Sequence, residues 1–221
     1  MTELAQQAVG RTERKRRSIV EAAAELFLGQ GFLGTSMDEV AARAGVSKRT
    51  VYNQYESKEA LFLAIVEHMT NEGSDRVQTA MREPANADEV AEQLRGHAER
   101  LLAIALSPRL LQLRRLVIGE AVRFPQLGKA LYEGGPGRAI AGLAGALARW
   151  AARGLLRIDD PLVAATQFNW LIMGEPINRA MFFVDGEPLP AAQREAHVTA
   201  GVRVFLAAYG TVSTPPPGLG Q

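Results

Sequence analysis

The stretch Thr35–Leu61, TSMDEVAARAGVSKRTVYNQYESKEAL, decides how the rest of the chain is read. Ser36 precedes Glu39 by three residues, the Ser-x-x-Glu spacing in which a hydroxyl caps the first turn of a helix and the carboxylate reaches back to the cap. A helix therefore starts near Met37. Met37, Val40, Ala41 and Ala44 recur at helical spacing on one face, and Gly45 then supplies a residue that tolerates positive φ at a helix end. Val46 is placed to pack under the turn, and Ser47 caps a second short helix, Lys48 to Gln54, in which only Val51 is strongly apolar. A helix with so much polar surface is a poor core element, but it fits a DNA major groove about 12 Å wide. Ser57 caps a third helix that begins with Lys58 and Glu59. The sum is a helix-turn-helix.

From about Arg14 to Leu63 this arrangement resembles the DNA-binding domain of the tetracycline-repressor (TetR) family. The matching features are the basic Arg14-Lys15-Arg16-Arg17, the apolar helix Ile19–Phe27, the Gly31-Phe32 break, Thr35-Ser36, Ala44-Gly45-Val46-Ser47, Thr50-Val51-Tyr52 and Lys58-Glu59-Ala60-Leu61. Two positions vary from the common pattern: Glu56 lies between Tyr55 and Ser57, and Tyr55 stands where phenylalanine is frequent. A weaker likeness, to the C-terminal domain of an AefR-like TetR subgroup, runs through Leu116–Pro125 and Tyr132–Arg138. The resemblance implies an all-α fold: an N-terminal three-helix helix-turn-helix domain and a larger C-terminal helical regulatory and dimerisation domain. The boundaries expected are a flexible arm at 1–13, the DNA-binding domain at 14–60, the sensing and dimerisation domain at 61–210, and a disordered tail at 211–221.

Composition agrees with that plan. A chain of 221 residues with 47% hydrophobic and 22% charged residues is long enough for one small and one larger helical domain. Its formal net charge of +1 excludes a generic polycation, so DNA affinity must come from local placement of charge. With no cysteine the chain has no disulfide, thiolate metal site or thiol chemistry. No secretory signal is visible and no apolar run reaches the ~18 residues that span a bilayer, so the expected setting is cytoplasmic.

Beyond the recognition region the pattern predicts helices almost throughout: Lys58 to about Met81, Asp88–Leu106, Pro108–Phe124, Gln126–Tyr132, Arg138–Arg153, Pro161–Phe183 and Ala191–Tyr209. Ser107-Pro108 and Asp160-Pro161 each place a capping side chain before a proline at the first helical position. Gly134-Gly135-Pro136-Gly137 is expected to break the helix ending at Tyr132. Pro176, inside the long apolar helix, predicts a kink. The Pro-rich end from Thr214 lacks the apolar surface to fold.

Site residues follow from side-chain chemistry. Base edges are assigned to Lys48, Arg49, Thr50 and Asn53, since Arg pairs with guanine, Asn with adenine, and a Thr methyl meets thymine. Phosphate contacts fit Thr35, Ser36, Tyr52 and Lys58, with Ser47 at the start of the reading helix. Arg14 to Arg17, read as the start of the first helix, are unfavourable to the helix dipole there and gain from nearby phosphate. Each residue also has an ordinary structural reading as a cap, a packed ring or a solvated charge; the joint pattern is what points to double-stranded DNA.

A helix-turn-helix unit reads a few base pairs, and such proteins commonly dimerise to read two half-sites. In the resembled family the last two long helices pair with their symmetry mates as a four-helix bundle. Here that implies a homodimer through about residues 138–183, with Gly142, Gly145 and Ala148 permitting close approach and Leu143, Leu147 and Trp150 giving bulk. The family also senses small molecules in the C-terminal domain, and Leu113, Val117, Glu120, Phe124, Phe168 and Met173 are the candidate walls for an unknown effector. The same residues suit plain core.

The functional expectation is a sequence-specific transcriptional regulator: a ligand-responsive repressor that binds a palindromic operator as a homodimer. The alternatives are a helical-bundle ligand carrier and an architectural DNA binder without ligand control, the latter normally far more basic. No catalytic residue, metal site or cofactor is assigned. His68, His97 and His197 lie far apart without the Glu-x-x-His spacing of di-iron bundles, and Gly134–Gly137 follows a helix and lacks the Lys-Ser/Thr ending of a phosphate loop.

Overall fold

The computed structural model describes residues 3–78, 81–184 and 189–211, with side chains from Thr12 onward except that of Gln78. The fold is all-α. Its helices are α1 (Glu3–Gly34), α2 (Met37–Ala44), α3 (Lys48–Gln54), α4 (Lys58–Gln78), α5 (Ala87–Ala105), α6 (Pro108–Glu120), α7 (Pro125–Tyr132), α8 (Arg138–Ala152), α9 (Pro161–Phe182) and α10 (Ala191–Tyr209). Among the described residues, one isolated bridge pairs Leu156 with Gly210.

The chain forms two compact units, Met1–Asn71 with Gln112–Tyr132, and Glu72–Leu111 with Glu133–Gln221. In the first, Ile19, Phe27, Val40, Val51, Leu61 and Ile65 are buried from α1 to α4. Phe27, Phe32 and Phe62 cluster at their centre, with ring centroids 5.0–5.9 Å apart, a spacing typical of favourable aromatic contacts. In the second, α8 and α9 pack together and α10 lies against both α5 and α9. The core there is apolar and dense, including Leu94, Leu102, Leu147, Trp150, Phe168 and Phe205.

One local expectation needs correction. The first helix begins at Glu3, well before Arg14. The expected arm is rich in Glu, Leu, Ala and Gln and has no proline, so nothing stops the helix from extending through it. Arg14 to Arg17 therefore lie in the helix interior, away from the N-terminal dipole. As expected, α7 ends at Tyr132; Glu133–Gly137 then joins it to α8 as a π-helical turn containing Pro136. The wider turn carries a residue with no N–H to donate, and the buried Ser74 hydroxyl donates to the Gly134 carbonyl.

The helix α9 continues on both sides of Pro176. A proline at 176 leaves the Ile172 carbonyl without its helical donor, and Nε2 of His197 on α10 lies 2.8 Å from that oxygen. The close approach is possible because Gly201 has no side chain: a Cβ there would stand 2.6 Å from Cδ1 of Ile172. At the start of α9, the Asp160 carboxylate accepts from the Leu162 and Val163 N–H groups. Ser107 instead contributes to α6 through its carbonyl, which accepts from the Leu111 N–H. Apart from Thr211, the expected C-terminal tail lies outside the described residues.

Candidate nucleic-acid interface

The turn ahead of α2 is assembled from backbone and side chain together. Gly31 sits at φ 76°, a left-handed conformation that ends the long part of α1. The Thr35 hydroxyl donates back to the Gly31 carbonyl at 2.9 Å. Nζ of Lys58 donates to the carbonyls of Phe32 at 2.8 Å and Thr35 at 2.9 Å, and sits 4.4 Å from the centroid of the Phe32 ring. The next residue, Ser36, caps α2: its hydroxyl accepts from the Glu39 N–H, and the Glu39 carboxylate accepts from the Ser36 N–H at 2.9 Å. The Ser36 hydroxyl and backbone donors hold Glu39 below the usual carboxylate range.

Gly45 closes α2 at φ 66°, with its N–H directed to Ala41 and Ala42. The Ser18 hydroxyl on α1 donates to the Ala44 carbonyl at 3.0 Å, so α1 supports the same helix end. Ser47 then caps α3 by accepting from the Thr50 N–H at 3.2 Å, and the two hydroxyls are 2.8 Å apart. Val51 anchors α3 in the core. Arg49, Tyr52, Asn53 and Gln54 are exposed.

The side chains predicted to touch DNA therefore divide. Arg49 and Asn53, one turn apart on α3, are exposed and make no hydrogen bond or ion pair among the described residues. Tyr52 is 45% exposed. Lys48 is held by Asp38 at 2.8 Å, and that hydrogen bond and charge raise its pKa above the ordinary lysine value. Both groups are well exposed, so the pair is of the weak surface kind and can yield to another anion. Thr35 is only 2% exposed, and its hydroxyl is committed to Gly31. Two of the three Lys58 donors are likewise committed to carbonyls. Thr35 and Lys58 thus hold the turn itself. Gln54, outside the predicted set, is exposed at the end of α3.

Tyr55, 7% exposed, receives a hydrogen bond from Nε of Arg16 at 3.4 Å. One member of the basic run is thereby a structural contact between α1 and the end of α3. No spacing rule predicts a pairing across 39 residues.

The six candidate effector residues fall on both units: Leu113, Val117, Glu120 and Phe124 belong to the first, Phe168 and Met173 to the second. Leu113, Val117, Phe168 and Met173 are buried. Phe124 packs on Phe32 at 5.0 Å between centroids, which places it beside the turn ahead of α2. Two polar residues near this set were not predicted. His97 is 2% exposed, 6.2 Å from Phe168 between ring centroids, and burial, with the Arg100 charge, pushes its pKa down to about 4. Arg114, next to Leu113, is half-buried and its pKa is lowered by desolvation.

The expected dimer segment also divides. Leu143, Leu147 and Trp150 face the intrachain core, while Ala141, Gly142, Gly145 and Ala148 are exposed along α8. On α9 the exposed apolar residues are Leu162, Val163, Trp170, Leu171 and Phe182.

Residues 19–65 match the family profile described as bacterial regulatory proteins of the tetR family, and residues 92–211 match the AefR-like transcriptional repressor C-terminal domain. The chain belongs to the TetR family. Among solved structures, a putative TetR-family regulator from Mesorhizobium loti is 38% identical with TM-score 0.84, the match covering 91% of this chain and 99% of that one. The flavonoid-responsive regulator FrrA is 34% identical with TM-score 0.74, covering 90% of this chain and 98% of that one. The transcriptional activator FasR of Mycolicibacterium smegmatis is 36% identical over 70 residues, 32% of each protein. The transcriptional regulator RutR of Escherichia coli is 37% identical over 70 residues, 30% of this chain and 33% of that protein. The chain thus spans about a third of the length of these curated relatives. TetR-family proteins are transcriptional regulators, and the relatives named here are regulators by name. No helix among the described residues is long and apolar enough to cross a membrane.

Proposed function

We propose that this TetR-family regulator is a repressor that reads a palindromic operator as a homodimer and is released by a small aromatic effector. The reading rests above all on α3, which presents Arg49 and Asn53 outward between two capped ends. Arg49, Asn53, Thr50 and, after exchange of its Asp38 partner, Lys48 contact base edges; Ser36, Ser47 and Tyr52 contact phosphates. In this reading 14–60 is the DNA-binding domain and 61–210 the sensing and dimerisation domain of a cytoplasmic protein. The small exposed face of α8 and the exposed Leu162, Val163 and Trp170 of α9 suit a two-fold interface, because small residues let helices approach and the apolar ones gain from burial. The repressor sense follows the AefR-like repressor profile and NicS, a curated relative named as a transcriptional repressor.

The effector class follows FrrA, whose name states a flavonoid response. A flavonoid brings flat apolar rings that suit Phe168 and Met173 of the second unit. To release DNA it must favour the DNA-incompetent state. The test is binding of the purified protein to DNA flanking its own gene, at physiological salt and with random competitor DNA, followed by a panel of flavonoids and aromatic carboxylates. A competitor-resistant complex dissolved by one class supports the reading. A complex erased by random DNA would identify an architectural binder, and no DNA affinity with retained flavonoid binding would identify a ligand carrier.

A further inference from the structure

The segment after α6 meets the reading head at Phe32. Phe124 lies 5.0 Å from Phe32 between ring centroids, at an interplanar angle of 59°. The Arg123 guanidinium is 4.9 Å from the Phe124 ring centroid and 5.9 Å from that of Phe32. Phe32 in turn carries the Lys58 ammonium over its ring and on its carbonyl, and the same ammonium holds the Thr35 carbonyl. Thr35 precedes the cap of α2. All these residues lie in one compact unit, and the 112–132 segment leaves and enters the other unit through the chain at both its ends.

We propose that Phe124 is a positioning residue for DNA reading, acting through Phe32 and Lys58 on the turn that sets the start of α2. Phe124 touches no base or phosphate. A displacement of the α6 end moves Phe124 off the Phe32 ring. Phe32 is 2% exposed, stacked on Phe27 and tilted against Phe62, so the ring cannot follow without disturbing the packed trio. The Lys58 ammonium, shared between ring and carbonyls, carries that disturbance to Thr35 and Ser36. Phe124 then reports the state of α6 to the helix-turn-helix, and Arg123 strengthens the contact by lying on both rings. The role deepens the operator-reading proposal above and rests on it.

The test uses the full chain with two substitutions. Phe124→Leu keeps most of the volume and removes the ring; Phe124→Tyr keeps the ring. Amide hydrogen exchange and binding to the DNA flanking the gene are measured for both. The expected result is about tenfold faster exchange at residues 36–40 in Phe124→Leu, with α1 amides from Ile19 to Phe27 unchanged, and about tenfold weaker DNA binding. Phe124→Tyr restores both. Exchange at 36–40 equal to that of the unsubstituted protein, or raised equally through Ile19–Phe27, overturns the proposal. If the unsubstituted protein itself ignores that DNA, the operator reading fails, while the exchange result still decides whether Phe124 sets the turn.

Discussion

The turn around Ser36 and the packing of α9 on α10 satisfy their polar groups in opposite ways. At the turn the capping hydroxyls find near neighbours: Thr35 bonds Gly31, Ser36 bonds Glu39, and Ser47 bonds Thr50. At α9 the carbonyl orphaned by Pro176 finds its partner in His197, 25 residues from Ile172 in sequence. Local pairs need little chain entropy to meet and so obey spacing rules, whereas a distant pair exists only after two helices have packed. The core of the second unit extends the contrast, since the buried Nδ1 of His97 and Nε1 of Trp150 have no hydrogen-bond partner there.

The largest expected effect tests how far that apolar core governs the second unit. Trp150 is fully buried on α8, and Trp150→Ala should cost about 3–5 kcal/mol in chemical denaturation; a cost near that of a surface substitution would mean α8 contributes little to the core. Next comes His97, which folds as the neutral imidazole. Its folded pKa is about 4 against an ordinary 6.5, so its contribution is complete above pH 6.5 and is lost as pH falls toward 4, on the order of 3 kcal/mol. Denaturation from pH 7 to 4 should show a steeper loss for the natural chain than for His97→Gln. Parallel curves would remove this assignment.

On the reading side, Arg49→Ala should weaken operator binding by about 1–3 kcal/mol and relax specificity at one base pair, seen by titrating the cognate site and its single-base variants. Unchanged discrimination would move base reading to other α3 residues. His197→Ala strips the Ile172 carbonyl of its partner and should destabilise by about 1–3 kcal/mol, a loss readable in the melting temperature; no loss would show that α9 tolerates Pro176 unaided. Ser36→Ala, losing one exposed cap, should cost about 1 kcal/mol. If it exceeds His197→Ala, the distinction between local and distant pairing gives no guide to energetic weight.

Legibility in the sequence followed the same division. The capping box, the Gly45 turn, the Ser47 and Ser57 caps and the Asp160-Pro161 start were read from spacing alone, and later helix limits such as Ala191–Tyr209 came from periodicity. The end of α7 at Tyr132 was legible, whereas the π turn over Glu133–Gly137, with Ser74 donating to the Gly134 carbonyl, followed from no local rule. Arg14 to Arg17 looked like a helix start because nothing ahead of them resembles a core face, although the residues there are good helix formers. At the candidate site, the outward placement of Arg49 and Asn53 was legible from their positions on α3, whereas the carbonyl partners of Thr35 and Lys58 were not, since a hydroxyl and an ammonium look the same in sequence whether they face solvent or a carbonyl.

The sequence by itself determined the helices, their ends and the helix-turn-helix, because caps, glycine turns and apolar periodicity act within a few residues. Only the tertiary structure decided which polar groups face outward. It sent the Lys58 ammonium to Phe32 and Thr35, paired Lys48 with Asp38, set Arg16 on Tyr55 and brought Phe124 to the reading head. Each of those contacts joins residues from separate parts of the chain, and a hydrogen bond or ring contact between them forms only when packing of the apolar faces has already placed both partners within reach.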